Sequence, residues 1–92
     1  MDNITQQVFD VIEGRKLNAP EGSYTAGLLD RGVPKVSQKV GEEAVEVVIA
    51  ANSEDDERLA SEAADLLYHL LVLLQARGVP LDAVWRQLEQ RG

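Results

Sequence analysis

From Leu66 to Leu74 the chain is apolar on every side of a helix, yet the turn leading into this stretch carries Glu62 and Asp65. A helix with no polar face belongs at the centre of its fold, so the other segments must be arranged around this one. At about 100° of rotation per residue, Glu62 and Asp65 lie within roughly 60° of one another. The same spacing recurs in Glu42-Glu43-Ala44-Val45-Glu46, where Glu43 and Glu46 are equally close in angle. Two such helices laid face to face would converge four or five carboxylates on one point. Like charges gathered away from water are costly unless a metal or a shared proton compensates them. The pattern therefore predicts a hard divalent cation, and magnesium suits an all-oxygen donor set best.

The chain has 92 residues, one domain's worth (1–92), near the lower limit for a self-sufficient core. Only four residues are aromatic, so the core must be built mainly from Leu, Val, Ile and Ala, which favours helices. Sixteen acidic residues against nine basic ones give a net charge of −7. A surface of that sign argues against nucleic acid as a partner, but not against a small phosphorylated substrate held through a divalent ion. With no cysteine, a disulfide scaffold or thiolate zinc site is excluded. The start shows no secretory pattern. The Leu66–Leu74 run, interrupted by His69, is far shorter than the roughly 18 residues of a membrane span, so a soluble, cytoplasmic protein is expected.

A first helix is expected from a cap at Asp2 or Asn3 to about Glu13, with Ile4, Val8, Val11 and Ile12 as its apolar stripe and Gly14 as its end. A loop over Arg15–Gly22 and a short helix from Ser23 or Thr25 to Asp30 should follow. Pro34 opens a third helix to about Ala51, with Val36, Val40, Ala44, Val47 and Ala51 facing inward. Val45 and Ile49 lie on its far side, which a monomer would leave wet, and this predicts a homodimer. Ser53 with Glu54, Asp55 and Asp56 marks the start of a fourth helix that ends at Gly78. A last helix, capped by Asp82, should pack Val84, Trp85 and Leu88. No segment alternates with period two, so the expected fold class is all-α, a bundle of four to five helices.

Single features each admit an ordinary reading as well. Lys35 and Lys39 share the side of the third helix that carries Glu42, Glu43 and Glu46; they either pair along the helix or reach phosphate oxygens beside the metal. His69, one turn after Asp65, is read as a hydrogen-bonded core or interface residue, because a hard oxygen site needs no imidazole. Gly41 marks either close approach of another group or tolerated helix strain.

Taken together, Ser23-Tyr24-Thr25-Ala26, the block Lys39-Val40-Gly41-Glu42-Glu43-Ala44-Val45-Glu46 and the block Glu62-Ala63-Ala64-Asp65-Leu66-Leu67-Tyr68-His69 closely resemble the phosphoribosyl-ATP pyrophosphohydrolases, members of the MazG-like all-α nucleoside triphosphate pyrophosphatases. The resemblance covers almost the whole chain; Gln38 departs from it, standing where a second lysine is common. It implies magnesium-dependent hydrolysis of phosphoribosyl-ATP. It further implies Glu43, Glu46, Glu62 and Asp65 as metal ligands, with Glu42 as a further ligand or the base for water. Arg15, Ser23, Tyr24, Thr25, Lys35 and Lys39 would bind substrate. The alternatives are a general nucleotide-cleansing pyrophosphatase with the same site, or a nonenzymatic acidic helical interaction module.

Overall fold

A computed structural model describes residues 3–92, in which five helices follow one another without a strand: α1 (Asn3–Asn18), α2 (Tyr24–Asp30), α3 (Val33–Ser53), α4 (Asp56–Arg77) and α5 (Leu81–Arg91). The all-α expectation holds. The cap expected at Asp2 or Asn3 lies outside the residues whose side chains are described.

The chain's punctuation accounts for most boundaries. The Ser23 hydroxyl caps α2 by accepting from the Ala26 N–H at 3.1 Å. Pro34 sits in the first turn of α3, where its missing N–H costs nothing. Gly78 closes α4 with φ 71°, the left-handed conformation that glycine adopts without a Cβ penalty.

Three boundaries differ from the sequence expectation. α1 runs through Gly14 to Asn18, since one glycine costs a helix only about 1 kcal/mol and Lys16 in the added turn donates to the Gln75 carbonyl on α4 at 2.7 Å. Ser53 belongs to α3, where its hydroxyl folds back on the Ile49 carbonyl; Asp55 caps α4 instead, accepting from the Arg58 N–H at 2.9 Å. Asp82 lies inside the first turn of α5 and pairs with Arg86 at 3.0 Å, leaving Pro80 at the cap position.

α3 and α4, joined by Glu54-Asp55, form the most extensive helix contact. On α3 the buried seam is Val36, Glu43 and Ala50, seven residues apart, rather than the row ending at Ala51, which is exposed. A period of 3.5 keeps a long helix in register with a neighbour, whereas the free 3.6 spacing drifts off the contact. The core cluster joins Phe9 and Ile12 of α1, Leu28 of α2, Val36 of α3, Leu71 and Val72 of α4, and Leu81 of α5. Phe9 and Leu81 replace the expected Ile4, Val11 and Leu88, which are exposed.

α4 is central but not enclosed: Leu67 is 50% and Leu70 39% exposed. By length and mean hydropathy α4 could cross a membrane, yet its buried residues include Glu62, His69 and Gln75, the pattern of a bundle core helix. The radius of gyration of 13.9 Å exceeds the roughly 12 Å of a compact chain of this length. The single chain is therefore an open bundle with apolar surface left over.

Gly41 lies mid-helix with nothing within 4 Å of where a Cβ would stand. Among the described residues no close approach requires it, so Gly41→Ala should raise stability by about 0.5–1 kcal/mol, checked by urea denaturation.

Candidate active site

One ligand oxygen each from Glu43, Glu62 and Asp65 lies within 4.8 Å of the other two. The cluster exists because α3 turns Glu43 into its contact seam while Glu62 and Asp65 present the matching face of α4. Glu62 is 7% exposed, and the Glu43 side chain 12%. Two protein cations already compensate the cluster. Lys39 Nζ lies 3.2 Å from Glu43 Oε1, and Arg58 Nη2 lies 3.0 Å from Glu62 Oε1. Asp65 has no ion-pair partner among the described residues. Three hard, anionic oxygens this close fit a divalent ion such as Mg²⁺, which is commonly held by a few carboxylates together with water and substrate oxygens.

Glu46 is exposed and outside this set, on the flank of α3 beside the seam, where its charge still acts on Arg58 of α4. Glu42 is exposed as well and accepts from Gln38 Nε2 at 3.1 Å, so Gln38 contributes a donor where the family resemblance leads one to expect a lysine.

Beside the carboxylates, a cleft of about 410 Å³ opens between α2 and α3, lined by Tyr24, Gly27, Leu28, Arg31, Lys35, Lys39 and Glu42. Three of its seven lining residues are cationic, in a chain of net charge −7. The two readings of the lysines separate here. Lys39 makes the helix pair with Glu43, and that hydrogen bond raises its pKa, keeping it charged. Lys35 forms no ion pair among the described residues and is free to meet a ligand. Arg31, the C-cap residue of α2, was not anticipated; it lies in a short link whose approach to α3 is set only by tertiary packing.

Tyr24 connects cleft and cluster. Its hydroxyl lies 2.7 Å from His69 Nε2, while His69 Nδ1 lies 2.7 Å from the Asp65 carbonyl. A carbonyl only accepts, so Nδ1 carries a proton, and in the neutral ring Nε2 accepts from Tyr24. Desolvation raises the Tyr24 pKa, with Lys39 opposing and Glu43 adding to the rise, which keeps that donor protonated. The Thr25 hydroxyl bonds the Tyr68 hydroxyl in the same layer. His69 is buried with both nitrogens satisfied, as expected of a core histidine. Ser23 is engaged as the α2 cap. Arg15 lies on α1 with Val11, Gly14, Asn18 and Pro20 around a separate depression and is not among the residues lining the α2–α3 cleft.

This geometry can be set against known proteins. The profile of the phosphoribosyl-ATP pyrophosphohydrolase family matches residues 5–92, nearly the whole chain. The chain belongs to that family. Among its relatives, a phosphoribosyl-ATP pyrophosphatase of Trichlorobacter lovleyi is 54% identical over 89 residues, covering 97% of this chain and 82% of the relative. One from Metallosphaera sedula is 50% identical over 91 residues, 99% of this chain and 98% of the relative. The histidine biosynthesis bifunctional protein HisIE of Caldanaerobacter subterraneus is 43% identical over 88 residues, which cover 96% of this chain but 43% of that longer protein. The family thus occurs both as a chain of this size and as part of a larger one.

Proposed function

We propose that the protein, through a single domain over residues 1–92, hydrolyses 1-(5-phosphoribosyl)-ATP to 1-(5-phosphoribosyl)-AMP and pyrophosphate, the second step of histidine biosynthesis. Mg²⁺ is its cofactor, and it works as a cytoplasmic homodimer. The observation that carries the reading is the convergence of Glu43, Glu62 and Asp65 from two helices, next to a cationic cleft, in a chain of this family.

Lys35, Arg31 and Lys39 draw the triphosphate into the cleft, and Tyr24, fixed by His69, forms its wall. Glu43, Glu62 and Asp65 would hold the metal, with Glu46 of α3 as a further ligand. Mg²⁺ bound there would neutralise charge on the phosphate oxygens and make a water molecule more acidic. Glu42, at the cleft and one residue from Glu43, takes the proton of the attacking water. Water adds its oxygen to phosphorus, the bridging P–O bond breaks, and pyrophosphate leaves with the electron pair. Ser23 and Thr25 hold the first turn of α2 in place.

Incubation with phosphoribosyl-ATP and Mg²⁺, followed by pyrophosphate release, tests the whole reading. Comparable cleavage of ATP would instead favour a general nucleotide-cleansing enzyme. Lys35→Ala should lower kcat/KM for phosphoribosyl-ATP at least about tenfold, or about 1.4 kcal/mol of transition-state stabilisation. Its melting temperature should not move, because the residue makes no ion pair among the described residues.

A further inference from the structure

Arg58 stands one helical turn before Glu62 and bridges two carboxylates of its surroundings. Its Nη2 lies 3.0 Å from Glu62 Oε1 and its Nε 3.4 Å from Glu54 Oε1. The two acceptors differ in setting: Glu62 is 7% exposed, whereas Glu54 lies at the exposed start of the α3–α4 connection. Arg58 itself, with a side chain 57% exposed, has room to move. The cluster carries three formal negative charges, and Lys39 and Arg58 offset two of them, so the resting site keeps one net negative charge. A divalent ion arriving at Glu62 meets an oxygen already ion-paired with a cation and a local field that Arg58 has partly offset.

We propose that Arg58 is the resident counter-ion of this site: it occupies Glu62 when no divalent ion is bound, retreats to Glu54 when one is, and so lowers the site's affinity for the metal. The proposal rests on reading Glu43, Glu62 and Asp65 as ligands. Outer partners of metal ligands often strengthen binding by orienting a ligand through a neutral donor. A guanidinium differs because it brings a full positive charge to 3.0 Å from an oxygen of the ligand carboxylate, and like charges repel. The charge term opposes the ion whichever oxygen of Glu62 it takes. Arg58 is thus a positioning residue that sets metal affinity, and it sustains the metal-free fold by keeping the buried Glu62 paired.

Calorimetric titration of Mg²⁺ into the metal-free full-length protein tests this without reference to turnover. Arg58→Gln should bind Mg²⁺ about fivefold more tightly than the unaltered protein, the scale of an exposed ion pair, while melting at a lower temperature without metal. Arg77→Gln, which removes the same charge from the far end of α4, should bind as the unaltered protein does; an equal gain there would overturn the proposal in favour of a general charge effect. Arg58→Lys, which keeps the charge but cannot span both carboxylates with a planar fork, should fall between and guards against poor folding of the glutamine variant. Equal or weaker Mg²⁺ binding by Arg58→Gln, with the unaltered protein binding normally, would overturn the proposal alone. Absence of Mg²⁺ binding in every variant and in the unaltered protein would overturn the metal reading and the proposal with it.

Discussion

Glu62→Gln is expected to lower turnover of phosphoribosyl-ATP by at least about a hundredfold, roughly 2.7 kcal/mol of transition-state stabilisation, while leaving the helical fold intact. Glutamine has the same shape, and its amide oxygen can still lie against the Arg58 guanidinium, which now stands 3.0 Å from Glu62 Oε1. What disappears is one of three anionic oxygens within 4.8 Å of each other. Without metal, that loss also removes repulsion from Glu43 and Asp65, so the melting temperature should stay level or rise. Addition of Mg²⁺, which should stabilise the unaltered protein by mass action, should then do little. Asp65→Asn should behave alike, since Asp65 has no compensating protein cation among the described residues. Retained activity with a retained Mg²⁺-induced rise in melting temperature would remove Glu62 from the ligand set, with circular dichroism as the folding control.

The carboxylate site was legible in the sequence because helical rotation alone places Glu62 beside Asp65 and aligns the acidic turn of α3. Rotation places Glu43 and Glu46 equally near the site; that Glu43 lies in the contact seam while Glu46 stays exposed follows from packing against α4, which fixes the 36–43–50 register. The same limit explains the core. Ile4, Val11 and Leu88 fit a helical stripe but end exposed, while Phe9 and Leu81 reach the centre, because a stripe gives the period of a buried face and not its phase. Arg58 pairs at i+4 with Glu62 and at i−4 with Glu54, so sequence offers both partners; that it engages both follows from the fold. The ties from Tyr24 to His69 and from Thr25 to Tyr68 span more than forty residues and leave no local trace. Ser23, Pro34 and Gly78 mark boundaries that local chemistry imposes, whereas Gly14 is overridden by the turn that ties Lys16 to Gln75 and Ser53 yields the α4 cap to Asp55.

The double change Val45→Asp/Ile49→Asp is expected to weaken self-association by at least about a thousandfold in Kd, roughly 4 kcal/mol. On α3, Val45, Val48 and Ile49 are 57%, 61% and 48% exposed, a run of large apolar side chains on the face turned away from α4. A soluble chain rarely leaves so contiguous a patch in water, and this one also leaves Leu67 and Leu70 of the central helix half-covered. In a two-fold dimer every interface residue is buried twice. At about 1.5–3 kcal/mol per fully buried Val or Ile side chain, four such side chains per dimer account for the expected loss even with partial burial, and the introduced carboxylates add a desolvation cost. Because α3 also carries Lys39 and Glu43, loosening it should cost activity together with assembly. Sedimentation velocity at micromolar concentration is the decisive measurement: the unaltered protein should run as a dimer and the variant as a monomer or an unfolded chain. An unaltered protein that sediments as a folded, active monomer would mean that the apolar face of α3 is not where this open bundle is completed.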